Sequence, residues 1–220
     1  AADSDLQGRP LLSRLAAAGW ICVAINYRLS PRSRFPDHLI DCKLALKWIR
    51  AHIAQYGGDP TRVVVTGGSA GGHLAAMGAL TQNDPRFQPG FETADTSVMA
   101  CVPVYGPFDL EAVLATSNGR ISDWLRQGVF RGDPQSASPL RYVRPGIPPM
   151  LVVQGTADTL VPARLAFPFV AALRAAGNTD VVHLEVPGAA HAFDLFHSIR
   201  SEAVISGILC FLRAVVARRK

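Results

Sequence analysis

Residues 63–80 of the chain, VVVTGGSAGGHLAAMGAL, decide its fold class. The stretch begins with the β-branched residues of a buried strand and ends with residues typical of a helix, and Ser69 lies between them within G-x-S-x-G. A strand that turns sharply into a helix at this pattern is a nucleophile elbow, which strains the serine backbone and exposes its hydroxyl. Side chains two positions to either side would clash there, which predicts a steric role for Gly67 and Gly71. A glycine-rich turn with an incidental serine is the alternative.

The rest of the chain alternates between predicted strands and helices. Strands are predicted at 20–27, 62–66, 98–104, 150–154 and 181–186. Helices are predicted at 11–18, 36–56, 72–80, 164–176 and 198–217. Because the strands are apolar on both faces and alternate with helices, they predict a mostly parallel sheet covered on both sides. We therefore expect one α/β domain over residues 1–220.

Two further polar side chains follow later strands of the predicted sheet. Asp158 comes after the strand at 150–154, and His191 comes after the strand at 181–186. A serine nucleophile needs a base within about 3 Å, and the base must itself be oriented by an acid. The order serine, acid, histidine is the order found on the elbow fold, and all three residues fall at one edge of the sheet. The sequence therefore predicts a triad of Ser69, Asp158 and His191.

Other residues compete for the roles of acid and base. Taken alone, Asp158 has the position of a turn or helix cap, and His191 that of an ordinary loop histidine. The competing acids, with the first ranked next after Asp158, are Asp109, Asp180, Glu185 and Asp194. His73 lies within the helix after the elbow, where packing or lining of the site floor is expected. Since His191 and His197 have no third ligand at metal spacing, no metal is predicted.

A long segment at 108–149, rich in Pro, Gly and Ser, is expected to be a lid-like insertion with a short helix around Trp124. Its candidate acyl-pocket residues, each of which packing in the core would explain equally well, are Phe108, Trp124, Leu125 and Phe130.

Composition restricts the class of protein. Of 220 residues 49% are hydrophobic, which is typical of a globular chain, and no apolar run has the length of a membrane span. The net charge of +5 comes from scattered arginines without a basic stripe, so no nucleic-acid partner is predicted. The four cysteines are far apart in apolar stretches, which predicts free thiols.

The chain resembles the hormone-sensitive-lipase-like group of microbial esterases, which have the α/β-hydrolase fold. The matching stretches are NYRLSP at 26–31, FP at 35–36 with Asp41, ALKW at 45–48, GGDP at 57–60, GGSAGG at 67–72, DTLVP at 158–162 and HAF at 191–193. The resemblance implies a carboxylesterase for short- to medium-chain acyl esters or lipids, without a cofactor and with the same triad. The chain departs from the group at Gly68, where Asp is frequent, and at Ala192, where Gly is frequent.

The resemblance also defines what the oxyanion hole requires. The backbone N–H of Ala70 is one expected donor, and in the group the second comes from a His-Gly-Gly loop that residues 1–220 lack. We expect the chain to begin after that loop and to lack the N-terminal strands. The slot left in the sheet would then be closed by direct pairing of the strands at 20–27 and 62–66, or by self-association with another chain.

Three functions are compatible with these features. A serine esterase or lipase that works through an acyl-enzyme ranks first. A peptidase or amidase of the prolyl-oligopeptidase type uses the same triad, and a glycine at position 68 also resembles that type. A binding module on the same fold is the third reading.

Overall fold

The computed structural model describes residues 8–116 and 119–218 and contains one parallel sheet. Its strands, in spatial order, are β1 (Val64–Gly68), β2 (Ala100–Val104), β3 (Met150–Gly155) and β4 (Val181–Val186). The register pairs Val64 with Ala100 and Met150 with Val181. All residues of β2 and β3 are buried, because both strands are covered on both faces.

The helices are α1 (Arg9–Ala17), α2 (Asp37–His52), α3 (Ala70–Leu80), α4 (Leu110–Thr116), α5 (Gly119–Gly128), α6 (Ala166–Ala175) and α7 (Ile199–Ala217). The sheet separates two apolar clusters. On one face Val102 and Val153 pack with α1 and α7, and on the other Cys101 and Val152 pack with α2, α3 and α6. Successive strand residues point to opposite faces, so each central strand contributes to both clusters. This confirms the predicted mostly parallel sheet with helices on both faces.

The predicted strand at 20–27 is wrong: the segment belongs to no sheet. Its side chains do alternate, since Trp20 and Cys22 pack on the core while Ile21 and Val23 are 45% and 40% exposed. An apolar β-type pattern forms a strand only when a neighbouring strand satisfies its backbone groups. The predicted direct pairing of this segment with β1 is therefore also wrong. Among the described residues, β1 pairs with β2 alone and forms one edge of the sheet.

The segment at 108–149 packs through Leu110 and Phe130 on a cluster formed by residues of α2 and α3. It contains α4 and α5, the second at the short helix predicted around Trp124. An ion pair of 2.7 Å between Arg126 and Glu111 joins these helices. The backbone bond from Leu140 N to Phe108 O, 3.0 Å long, closes the segment on itself. Within the described part of the chain, no helix has the length and apolar character needed to cross a bilayer.

Candidate active site

Ser69 lies in a tight turn between β1 and α3. Its backbone has φ 56° and ψ −119°, a conformation that L-residues rarely adopt. The turn is held from both sides, since Ser69 N donates to Val104 O at 3.0 Å and Ser69 O accepts from His73 N at 3.0 Å. The structure therefore contains the predicted sharp turn from strand to helix, with the strained backbone conformation at Ser69.

Close backbone approach explains the glycines around the elbow. A Cβ on Gly67 would lie 2.6 Å from the backbone of Gly71, and a Cβ on Gly72 would lie 2.7 Å from Val104 O. At Gly71 itself a Cβ would meet nothing within 4 Å. The steric role predicted for Gly67 is confirmed, and the one predicted for Gly71 is wrong. Gly72 has that role instead, because the carbonyl of Val104 in β2 lies where its Cβ would be.

The structure brings Ser69, His191 and Asp158 into one chain of hydrogen bonds. His191 Nε2 lies 2.9 Å from Ser69 Oγ, and His191 Nδ1 lies 2.8 Å from Asp158 Oδ2. Because a carboxylate only accepts, Nδ1 carries the proton, and Nε2 is left to accept from the serine hydroxyl. The arrangement can therefore deprotonate Ser69 as it attacks an electrophilic carbon.

Four donors surround the carboxylate of Asp158, whose side chain is fully buried. Its Oδ1 accepts from the backbone N–H groups of Leu160 and Val161 at 2.9 and 2.8 Å, and its Oδ2 accepts from His191 and from Gln154 Nε2, the latter at 3.2 Å. These bonds orient the buried carboxylate towards the imidazole. Sequence reasoning missed Gln154, because every residue of β3 is buried and no pattern distinguishes this one.

The N–H of Ala70 is available at the first position of α3. The first N–H groups of an α-helix have no partner within the helix, and the helix dipole makes them a favourable site for negative charge. Ala70 therefore occupies the position expected of an oxyanion donor directly after Ser69.

Comparisons with known proteins identify the family of the chain. The profile of the BD-FAE family matches residues 2–173, a range that includes Ser69 and Asp158. The chain belongs to the BD-FAE family. This membership confirms the α/β-hydrolase esterase resemblance predicted from the sequence motifs.

Two relatives of this BD-FAE chain have the names of ester hydrolases. The chain is 47% identical over 218 residues to the probable carboxylic ester hydrolase LipM of Mycobacterium tuberculosis, covering 96% of the chain and 51% of LipM. It is 45% identical over 220 residues to the esterase LipQ of the same organism, covering 97% of the chain and 52% of LipQ. The chain thus spans about half the length of these relatives.

Among solved structures, esterase Est2 of Thermogutta terrifontis superposes with a TM-score of 0.81 at 30% identity, covering 95% of the chain and 75% of Est2. Est2 has also been solved with propionate bound, with butyrate bound and phosphorylated by paraoxon.

None of the alternative acids considered from the sequence hydrogen-bonds to His191 in the described part of the chain. Asp109 Oδ1 accepts from Ala112 N at 3.2 Å at the start of α4, and Asp180 pairs with Arg218. Glu185 is an exposed residue of β4, and Asp194 accepts from Tyr105. Among the described residues, the His191 imidazole bonds to Asp158 and to no other acid. No group of three potential metal ligands occurs in residues 8–116 and 119–218.

The four candidate pocket residues are not equivalent. Phe108 is buried and stacks on Phe169 with ring centroids 4.3 Å apart, and Phe130 is buried in a cluster with α2 and α3. Leu125 packs against that same cluster, while Trp124 is 51% exposed. These positions favour core packing for all of them except Trp124.

Proposed function

We propose that the chain is the catalytic part of a serine carboxylic ester hydrolase that works through an acyl-enzyme. The observation that carries the proposal is the unbroken relay from Ser69 Oγ through His191 to the buried carboxylate of Asp158. In this scheme Ser69 attacks the ester carbonyl, and His191 takes its proton and returns it to the leaving alcohol. Asp158 holds the imidazole and stabilises its charged form.

The second half of the reaction reuses the same residues. His191 takes a proton from water, which attacks the acyl-Ser69 carbonyl; the acyl C–Oγ bond then breaks, the acid leaves, and His191 returns the proton to Ser69 Oγ. Ala70 N–H stabilises the oxyanion in both halves. We propose that a second donor comes from polypeptide beyond the described residues.

The proposed substrates are small esters with short- to medium-chain acyl groups. Support comes from Est2, whose structures hold propionate and butyrate and whose paraoxon adduct requires an activated nucleophile. All the relatives and structures compared above are esterases, which supports ester over peptide substrates.

Hydrolysis of p-nitrophenyl esters from acetate to laurate tests the proposal. Ser69→Ala should lower kcat by at least about 10³-fold, because the nucleophile is lost. Ser136→Ala is the matched control, since that hydroxyl bonds to Asp133 O in a surface turn and should leave turnover unchanged. Unchanged turnover in Ser69→Ala would contradict the proposal. Cleavage of p-nitroanilides in preference to esters would favour an amidase.

A further inference from the structure

Tyr105 is the first residue after β2 and is held rigidly beside the elbow. Its N–H donates to Val153 O at 2.7 Å, and its φ of 38° is in the left-handed region, which is unfavourable for a residue other than glycine. The preceding residue, Val104, accepts the N–H of Ser69. The same strand end therefore supports both the nucleophile and this buried tyrosine.

One tyrosine side chain contacts three residues of the loop that carries the base. The Tyr105 ring lies 4.7 Å from the ring of His191 and 5.7 Å from that of Phe193, measured between centroids. Its hydroxyl donates a hydrogen bond to Asp194 Oδ1. The loop after β4 is therefore joined to the end of β2 at His191 itself and at Phe193 and Asp194, which follow it closely in the chain.

Charge makes this hydrogen bond a strong one. Burial raises the pKa of Asp194, while the Tyr105 hydroxyl and the nearby His191 act to lower it. Burial and the charge of Asp194 also raise the pKa of Tyr105, so the phenol keeps its proton and remains the donor. No ion pair of the described residues includes Asp194, so the hydroxyl is its main polar partner.

Gly68 is adapted to the same side chain. A Cβ at this position would lie 2.5 Å from the Tyr105 hydroxyl oxygen and 2.8 Å from two of its ring carbons. No other residue fits beside the tyrosine without displacing it. Gly68, a departure from the related esterases, is therefore the residue that the present position of the Tyr105 ring requires.

We propose that Tyr105 and Asp194 are a positioning pair that holds His191 in line with Ser69. The pair acts through the imidazole, so neither residue touches the reacting atoms. This inference rests on the proposed function, since a positioned base matters only if Ser69 is the nucleophile.

Steady-state kinetics of four variants test the pair. Tyr105→Phe keeps the ring and removes the bond, and it should lower kcat about tenfold with KM within about twofold, as expected for loss of a hydrogen bond to a charged group. Asp194→Ala should lower kcat to the same extent. The double variant should have the same kcat as either single variant, because all three lack the same hydrogen bond. Asp194→Asn keeps an acceptor for the hydroxyl and should restore most of kcat. Tyr142→Phe is the matched control, because its hydroxyl bonds to Ser136 O away from His191.

The outcomes separate this inference from the proposed function. If Ser69→Ala abolishes turnover while Tyr105→Phe and Asp194→Ala keep full kcat, the positioning pair is refuted and the esterase stands. If Ser69→Ala changes nothing, the proposed function itself fails. Thermal unfolding checks that each variant folds. If Tyr105→Phe does not fold, the kinetics of Asp194→Ala alone test the positioning pair.

Imidazole NMR gives a readout that needs no turnover. Because Asp158 holds the proton on Nδ1, wild type and Asp194→Ala should show the same tautomer, but the His191 ring signals of Asp194→Ala should be broadened by exchange between ring orientations. Equal line widths of these signals in the two proteins would overturn the inference.

Discussion

At the scale of single residues, the carboxylate of Asp158 determines which nitrogen of His191 is basic. Its Oδ2 accepts from Nδ1, and two backbone N–H groups hold Oδ1. An amide at this position can present its NH₂ to Nδ1 and so favour the wrong tautomer. Asp158→Asn should therefore lower kcat by about 10⁴-fold with little change in KM.

Asp109→Asn is the control for that substitution, because Asp109 was the second-ranked acid and caps α4. It should keep wild-type kcat in the same p-nitrophenyl assay. A larger loss in Asp109→Asn than in Asp158→Asn would reverse the assignment of the acid.

Ala192, directly after the base, adopts a backbone conformation that favours glycine. Its φ is 59°, where a Cβ costs about 1 kcal/mol. Ala192→Gly should therefore raise the free energy of unfolding by up to about 1 kcal/mol, measured by urea denaturation. Ala190→Gly is the matched control, because its φ is not positive, and it should destabilise by about 0.5 kcal/mol. Destabilisation by both substitutions would show that Ala192 is unstrained.

At the scale of elements, His73 joins α3 to the segment at 108–149. The side chain is buried, and its Nε2 lies 2.6 Å from Ala137 O, so Nε2 carries the proton of the neutral ring. Burial lowers the pKa of His73 from 6.5 to about 4. This histidine is therefore part of the packing between the elbow helix and the insertion, as the sequence suggested.

That buried histidine makes the fold sensitive to acid. Between pH 6.5 and pH 4 the unfolded chain binds a proton at His73 that the folded chain does not, so stability falls as the pH falls. The loss over this window should be about 3 kcal/mol, and His73→Gln should remove that part of the pH dependence. Equal slopes for wild type and His73→Gln would contradict the assignment.

At the scale of the whole molecule, β1 pairs with β2 alone among the described residues and forms an unpaired edge of the sheet. The segment at 20–27 does not pair with this strand, and part of its apolar surface is exposed. Unpaired strand edges and apolar patches are sites of association, so self-association through the incomplete sheet remains a prediction.

The oxyanion hole is proposed to need a second donor beside the N–H of Ala70. Loss of one oxyanion donor costs about 10²–10³-fold in rate, so the 220 residues alone should hydrolyse activated esters weakly. An N-terminally extended polypeptide with the second donor should be faster by that factor in the same assay. Equal kcat for both forms would contradict a donor outside the chain.

The sequence by itself determined the fold class, the elbow at Ser69, and the positions of Asp158 and His191. These features depend on local patterns: apolar strands, helical periodicity, and polar residues directly after strand ends. The strand at 20–27 could not be judged in this way, because a strand exists only when another strand pairs with it.

Only the tertiary structure decided which of the aspartates meets His191, and it alone showed Gln154 and the Tyr105–Asp194 pair. Tyr105 and Asp194 are 89 positions apart in the chain, so no local pattern links them. In the sequence, Gly68 was the feature related to that contact. A glycine is needed there because the ring of Tyr105, at the end of another strand, packs against it. Local patterns specify elements, whereas contacts between distant residues depend on how those elements pack.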